Sequence, residues 1–150
     1  MARVDFYHMT RDAAPVVVAR LAERAVTGGA RLLIVAAEAK LRDAIDATLW
    51  TTNAESFLPH VMLPQPGDVA VVEPILIAAD IPAERYGAAL VALADGVWRD
   101  EALTFDRALY LFDGQAIDDA RAAWRVLSKR DDGECHYWRQ DGGGRWVKGP

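Results

Sequence analysis

Residues 32–35 are Leu32-Leu33-Ile34-Val35, an uninterrupted apolar run between two segments with helical periodicity. A strand with one solvated face alternates apolar and polar residues, whereas a strand covered on both faces is apolar throughout. Strands of the second kind typically lie inside a parallel sheet that carries helices on both sides. This run therefore predicts an α/β fold.

Helical patterns lie on both sides of the run. The first helix is placed to begin near Pro15 and to end at Gly28-Gly29. Its apolar positions recur at about one-turn spacing: Val17, Leu21 and Ala25. The second helix carries Leu41, Ile45 and Leu49 at the same spacing.

Further short apolar segments have the composition of strands. They are Val4–His8, Ile75–Ala78, Leu90–Leu93 and Ala108–Phe112. The third could be helix or strand, and the closely flanking Pro82, Gly87 and Gly96 favour strand. A last helix has one apolar face made of Ile117, Ala120, Trp124 and Leu127.

This alternation of strands and helices predicts the architecture of the whole chain. We expect a three-layer α/β/α fold with a mostly parallel sheet, Rossmann-like but without a nucleotide-binding motif. Its 150 residues are expected to form a single domain, residues 1–150, with the last helix and an aromatic, basic tail over residues 115–150.

The composition is that of an ordinary globular protein, with 52% hydrophobic and 26% charged residues. No membrane partner and no secretory leader are expected, and a single cysteine, Cys135, fits a reducing cytoplasm. The net charge of −5 disfavours non-specific duplex binding. It is unevenly spread: residues 1–120 carry 10 basic and 18 acidic side chains, and residues 121–150 carry 7 and 4.

Motifs for catalysis and cofactors are missing from the sequence. It contains no Walker A lysine motif, no Gly-x-Gly-x-x-Gly after the first strand and no Gly-x-Ser-x-Gly. Cys135 and His136 are neighbours that point to opposite faces of an extended chain, and the three histidines lack metal-ligand spacing. We therefore expect no catalytic residue, no cofactor and no metal.

One aromatic cluster follows the second helix, in the stretch Leu49-Trp50-Thr51-Thr52-Asn53-Ala54-Glu55-Ser56-Phe57-Leu58-Pro59-His60. We expect this stretch to form a surface loop. Large aromatic residues on a loop favour a docking surface, although Trp50 and Phe57 could instead be tucked under the loop.

A second cluster combines aromatic and basic residues near the C-terminus. Arg121, Arg125 and Lys129 are four residues apart and form a basic stripe beside Trp124. Beyond them, residues 136–140 and 145–148 flank a Gly-rich turn and predict a hairpin. A pocket with aromatic walls and a cationic rim suits an acidic peptide with a free carboxylate, and single-stranded nucleic acid is the alternative occupant.

Both clusters resemble signatures of the family of the chi subunit of bacterial DNA polymerase III. The first matches the Leu-Trp-x-x-x-x-Glu-Ser-Phe-x-Pro-His signature, and Ala120-Arg121-Ala122-Ala123-Trp124-Arg125 resembles the family's last helix. Tyr137-Trp138-Arg139-Gln140 and Gly144-Arg145-Trp146 are similar to the tail of many members.

The resemblance implies a non-catalytic component of the DNA polymerase holoenzyme that acts in the clamp-loader complex. It implies that the acidic C-terminal tail of single-stranded-DNA-binding protein binds at Arg121, Trp124 and Arg125, with Tyr110 and Trp146 close by. It implies a second partner, the psi subunit or a repair helicase, at Trp50, Phe57, Leu58, Pro59 and His60. DNA would be contacted only indirectly, in the cytoplasm at the replisome.

Two other function classes stay open from the residues alone. One is a small nucleotide-dependent enzyme with an unrecognised site, and the other is a direct binder of single-stranded nucleic acid. Residues 64–96 carry no family signature and inform on the fold only. An adaptor for two partners would need its two docking surfaces well separated.

Overall fold

The computed structural model of the protein describes residues 2–51, 58–63, 72–131 and 133–149. Its strands are β1 (Arg3–His8), β2 (Leu32–Val35), β3 (His60–Met62), β4 (Ile75–Ala78), β5 (Leu90–Leu93), β6 (Arg107–Phe112), β7 (Glu134–Gln140) and β8 (Trp146–Lys148). Its α-helices are α1 (Ala14–Thr27), α2 (Ala39–Thr51) and α3 (Ile117–Leu127), and a short 3₁₀ helix spans Asp100–Thr104.

The strands form one eight-stranded sheet in the order β3-β4-β2-β5-β6-β1-β7-β8. The paired strands run parallel from β3 through to β7, and β8 pairs antiparallel with β7. All four residues of β2 are buried, as the apolar run predicts for an inner strand. The prediction of a mostly parallel sheet is confirmed.

Helices cover both faces of this sheet. Helices α1 and α2 pack on one face, where their apolar residues meet inward side chains such as Ile34 and Ile77. Helix α3 and the 3₁₀ helix lie on the other face, against an aromatic cluster of Phe6, Tyr110 and Phe112. The three-layer α/β/α architecture is therefore confirmed, with Leu90–Leu93 as a strand.

Two local differences from the sequence-based expectation lie near Trp50. Helix α2 continues to Thr51, so Trp50 occupies its last turn and not a loop. Strand β3 was not predicted, because three half-buried residues at a sheet edge are too few to show a period. The expected chain break at Pro64–Gly67 lies outside the described residues.

The expected C-terminal hairpin is present as β7 and β8. The carboxylate of Asp141 accepts backbone N–H bonds from Gly143 at 2.8 Å and Arg145 at 2.9 Å, and these bonds lower the pKa of Asp141. Gly144 has a φ of +83°, which a side chain would strain. The buried Gln140 amide donates to Asp12 at 2.8 Å and so fixes the hairpin to the loop after β1.

Among the described residues, the three α-helices are too short or too polar to cross a lipid bilayer.

Candidate functional site

A cleft of about 580 Å³ opens between α3 and β7. We call it the α3 cleft, and it is lined by Phe112, Ile117, Ala120, Arg121, Trp124, Arg125, Tyr137 and Arg139. The structure thus brings together the three residues that the sequence predicts for tail binding on the last helix.

The floor and walls of the α3 cleft are aromatic. Trp124 is half-buried on the apolar face of α3, and its ring meets Phe6 edge to face at a centroid distance of 5.1 Å. Tyr137 stands against the same indole at 6.0 Å and 87°. Because each ring is held by its neighbours, the pocket for an apolar side chain is already shaped before a ligand arrives.

Three arginines form the rim of the α3 cleft. Arg121 and Arg125 lie one turn apart on the exposed side of α3, and Arg139 projects from β7. Arg121 contacts Asp118 at 3.8 Å, but both side chains are exposed and such pairs contribute little. The lining contains no aspartate or glutamate, so the cleft favours an anionic ligand.

His8 lies beneath this rim. Its ring stacks on Phe112 at 5.1 Å, and its Nδ1 atom is 3.0 Å from the Tyr137 hydroxyl. Desolvation by burial lowers the pKa of His8 below 6.5, and the positive charge of Arg121 lowers it further. The electrostatic influence of the rim therefore reaches the sheet below it.

Tyr110 and Trp146 do not lie where the sequence-based reasoning expected them. Tyr110 is fully buried behind Phe112; its hydroxyl donates to the Gly96 carbonyl at 2.9 Å, and burial raises its pKa to about 12. Trp146 lies on the α1 side of the sheet, edge to face with Tyr7 at 5.1 Å. The structure thus separates both residues from the α3 cleft.

The position of Trp146 follows from strand parity. Trp146 pairs with Gln140 across the hairpin, and paired residues share a face. Gln140 and Trp138 share that face because they are two positions apart, while Tyr137 and Arg139 face α3. The same alternation in the sequence could have identified Tyr137 and Arg139 as lining residues, which our sequence-based reasoning missed.

The second predicted surface is only partly available to a partner. Trp50 has 54% of its surface exposed, at the end of α2. Its ring lies 4.5 Å from the ring of His60, whose Nε2 atom is 2.8 Å from Asp46 and whose side chain is 1% exposed. Leu58 is 4% exposed because it packs into the core beneath α1 and α2.

The expected interface is therefore corrected in two places. Leu58 and His60 are occupied by internal contacts, which leaves Trp50 with the half-buried Pro59 as the exposed part. We call this pair the Trp50 surface. Phe57 lies outside the described residues.

The two candidate surfaces are at opposite ends of the sheet. The Trp50 surface borders β3, the first strand in the sheet order, and the α3 cleft borders β7, the seventh. Six interstrand steps of about 4.8 Å place these strands about 29 Å apart. Two partners therefore have room to bind at the same time.

The crevice that would hold a nucleotide in this fold class is acidic. Ligands of open α/β sheets bind at the carboxyl ends of the strands. There the chain places Asp12, Glu38, Asp95 and Asp113, and the described lining has no lysine or arginine. The carboxylates disfavour a phosphate group at that position.

The adjacent Cys135 and His136 have no common target. Cys135 packs on the α3 side of the sheet, where burial raises the pKa of its thiol. His136 instead lies 3.1 Å from Glu134. A raised thiol pKa opposes the thiolate that a nucleophile needs. Among the described residues, no three His, Cys, Asp or Glu side chains are grouped to hold a metal ion.

A comparison with protein families gives one match over most of the chain. Residues 1–132 match the model described as DNA polymerase III chi subunit, HolC. The match contains α3 and ends before the β7–β8 hairpin. A comparison with curated proteins finds no significant match.

Proposed function

The chain belongs to the family of the chi subunit of DNA polymerase III, and on that premise we propose that it is a non-catalytic adaptor of the replicase. In this role it connects the polymerase's clamp-loader complex to single-stranded-DNA-binding protein. The α3 cleft receives the acidic C-terminal tail of that protein, and the Trp50 surface receives the psi subunit or a repair helicase. The proposal places the chain in the cytoplasm, at the replisome.

The observation that carries the proposal is the α3 cleft itself. Its walls of Phe112, Trp124 and Tyr137 suit the apolar side chain at the end of a peptide. The guanidinium groups of Arg121 and Arg125 can hold a terminal carboxylate through paired hydrogen bonds. Acidic residues further along the peptide gain from the same positive rim.

The absence of a catalytic role rests on chemistry rather than on the family alone. The carboxyl-end crevice is acidic where a nucleotide enzyme needs a phosphate cradle, and the Cys135 thiol is not activated. The α3 cleft has cations and aromatic rings but no acid–base pair in its lining. These features support binding without a chemical step.

Calorimetric titration with the C-terminal peptide of the cognate single-stranded-DNA-binding protein tests the proposal. We expect micromolar affinity that falls with salt, and Arg121→Ala should weaken it by about 1.5–3 kcal/mol, as expected for a hydrogen bond to a charged group. The same peptide with an amidated C-terminus should bind as weakly to the wild type, because it lacks the carboxylate.

Arg24→Ala is the matched control, since Arg24 is an equally exposed arginine on the other side of the sheet. It should leave the peptide affinity unchanged. Failure of the folded wild type to bind the peptide would refute the tail-binding proposal, and equal losses from both substitutions would show that only general charge is sensed.

A further inference from the structure

A second cleft, of about 600 Å³, lies on the opposite face of the sheet between α1 and the β7–β8 hairpin. We call it the α1 cleft. Three aromatic residues, Tyr7, Trp138 and Trp146, line it together with four arginines, Arg20, Arg24, Arg107 and Arg145. A smaller cavity of about 200 Å³ shares Tyr7, Leu21, Arg24 and Arg107 with it, so the two together form a groove along α1.

The aromatic part of the α1 cleft is firmly positioned. The indole N–H of Trp138 donates to the buried carboxylate of Asp5 at 3.0 Å. Trp146 meets Tyr7 edge to face, and both tryptophans are only half-buried because no helix covers this side of the hairpin. Part of each indole therefore stays accessible from the groove.

The arginines of the α1 cleft are only partly neutralised. Asp5 pairs with Arg107, and Asp12 pairs with Arg20 at 2.9 Å. Arg24 and Arg145 are exposed, and no carboxylate of the described residues lies within salt-bridge distance of either. The lining itself contains no acidic residue, in a chain whose net charge is −5.

We propose that the α1 cleft binds single-stranded nucleic acid. Accessible indole rings can stack on unpaired bases, while arginines along a groove neutralise the phosphates of the same strand. The extended form of the groove suits a chain rather than a compact ligand. A duplex keeps its bases stacked on each other and cannot use the indoles.

This binding goes beyond the proposed adaptor function and does not depend on it. Trp138, Arg145 and Trp146 all follow residue 132, where the family match ends. The proposal also replaces the expectation that the chain contacts DNA only indirectly. Direct contact at the α1 cleft would hold the strand next to the protein that coats it.

Fluorescence anisotropy with a short labelled oligothymidylate at low ionic strength tests the proposal. The double variant Arg24→Ala/Arg145→Ala should lose affinity about tenfold or more, and its slope of log K against log salt should fall by about 1.4, at about 0.7 for each phosphate released. Both side chains are exposed, so the variant is expected to fold.

The matched control is Arg121→Ala/Arg125→Ala, which removes the same charge from the α3 cleft. It should keep the oligonucleotide affinity within about twofold, because direct phosphate contacts and not net charge set the affinity. Trp146→Leu should weaken binding with no change in the salt slope, since it removes stacking alone.

Three results would overturn the proposal: no binding of the oligonucleotide to the folded wild type, equal loss in both double variants, or equal affinity for a duplex of the same length. Displacement of the oligonucleotide by a polyglutamate peptide at equal charge concentration would assign the cleft to an acidic protein segment instead. None of these results bears on the tail peptide, whose binding is measured separately at the α3 cleft.

Discussion

At the scale of single residues, His8 shows how the cationic rim of the α3 cleft affects the sheet beneath it. Burial and the charge of Arg121 both favour the neutral imidazole, and the pKa of His8 is lowered. The unfolded chain therefore takes up this proton at a higher pH than the folded protein. Folding stability should fall as the pH decreases from about 6.5 through the folded pKa, and be unaffected by His8 above that range.

We predict that Arg121→Ala raises the pKa of His8 toward its ordinary value. The substitution removes the positive charge that opposes protonation but leaves the burial in place, so the recovery should be partial. Imidazole proton shifts followed by NMR between pH 5 and 8 would measure it. Arg24→Ala, on the other face of the sheet, should leave the titration of His8 unchanged; an unchanged titration in Arg121→Ala would disprove the coupling.

At the scale of secondary-structure elements, Asp5 joins three neighbouring strands. Its buried carboxylate on β1 accepts hydrogen bonds from Arg107 on β6 and from Trp138 on β7. Arg3 contacts the same carboxylate at 3.2 Å. Since β7 has only β8 beyond it, this contact helps to attach the hairpin to the sheet.

Asp5→Asn should therefore lower the free energy of unfolding by about 2–3 kcal/mol, the range for charged hydrogen bonds lost at a buried group. The estimate is kept at the low end because Arg3 and Arg107 are partly exposed. Urea denaturation followed by tryptophan fluorescence measures it, with the exposed Asp43→Asn on α2 as the control. Equal stability of the two variants would contradict this account of Asp5.

The sequence predicts elements well where the periodic signal is long or uninterrupted. The apolar run of β2 and the one-sided pattern of α3 fix their types, because burial on two faces or on one leaves a distinct pattern. Strand β3 is too short for such a signal. The placement of Asp5 was also not predicted, since its partners are about 100 residues or more away in the sequence.

The candidate site shows the same division. Arg121, Trp124 and Arg125 are neighbours on one helix, so their spacing alone brings them together. Trp146 was placed on the wrong side of the sheet because its face depends on the hairpin register, which the sequence does not state. Leu58 and His60 read as surface residues, yet long-range packing covers them.

At the scale of the whole molecule, the sheet separates three binding features. The α3 cleft and the α1 cleft lie on opposite faces, and the Trp50 surface lies at the far edge. Sites about 29 Å apart with no shared side chains are expected to act additively. A rigid sheet between them transmits position rather than a conformational change.

This geometry leads to a test of the adaptor proposal as a whole. Trp50→Ala should weaken binding of the psi subunit by about 2 kcal/mol or more, because an exposed tryptophan is a common interface anchor. It should leave the affinity for the tail peptide unchanged, and Arg121→Ala should do the reverse. In the double variant, each loss should equal that of the single variant within about 0.5 kcal/mol.

The decisive measurement is titration of the tail peptide into the preformed complex with the psi subunit. Independent surfaces require the same dissociation constant as for the free chain, and both ligands must be bound at saturation. A lower peptide affinity in the complex would mean that the partner reaches across the sheet to the α3 cleft, and the two surfaces would then compete instead of bridging. Trp50→Ala alone would not separate these cases, because it reports on only one surface.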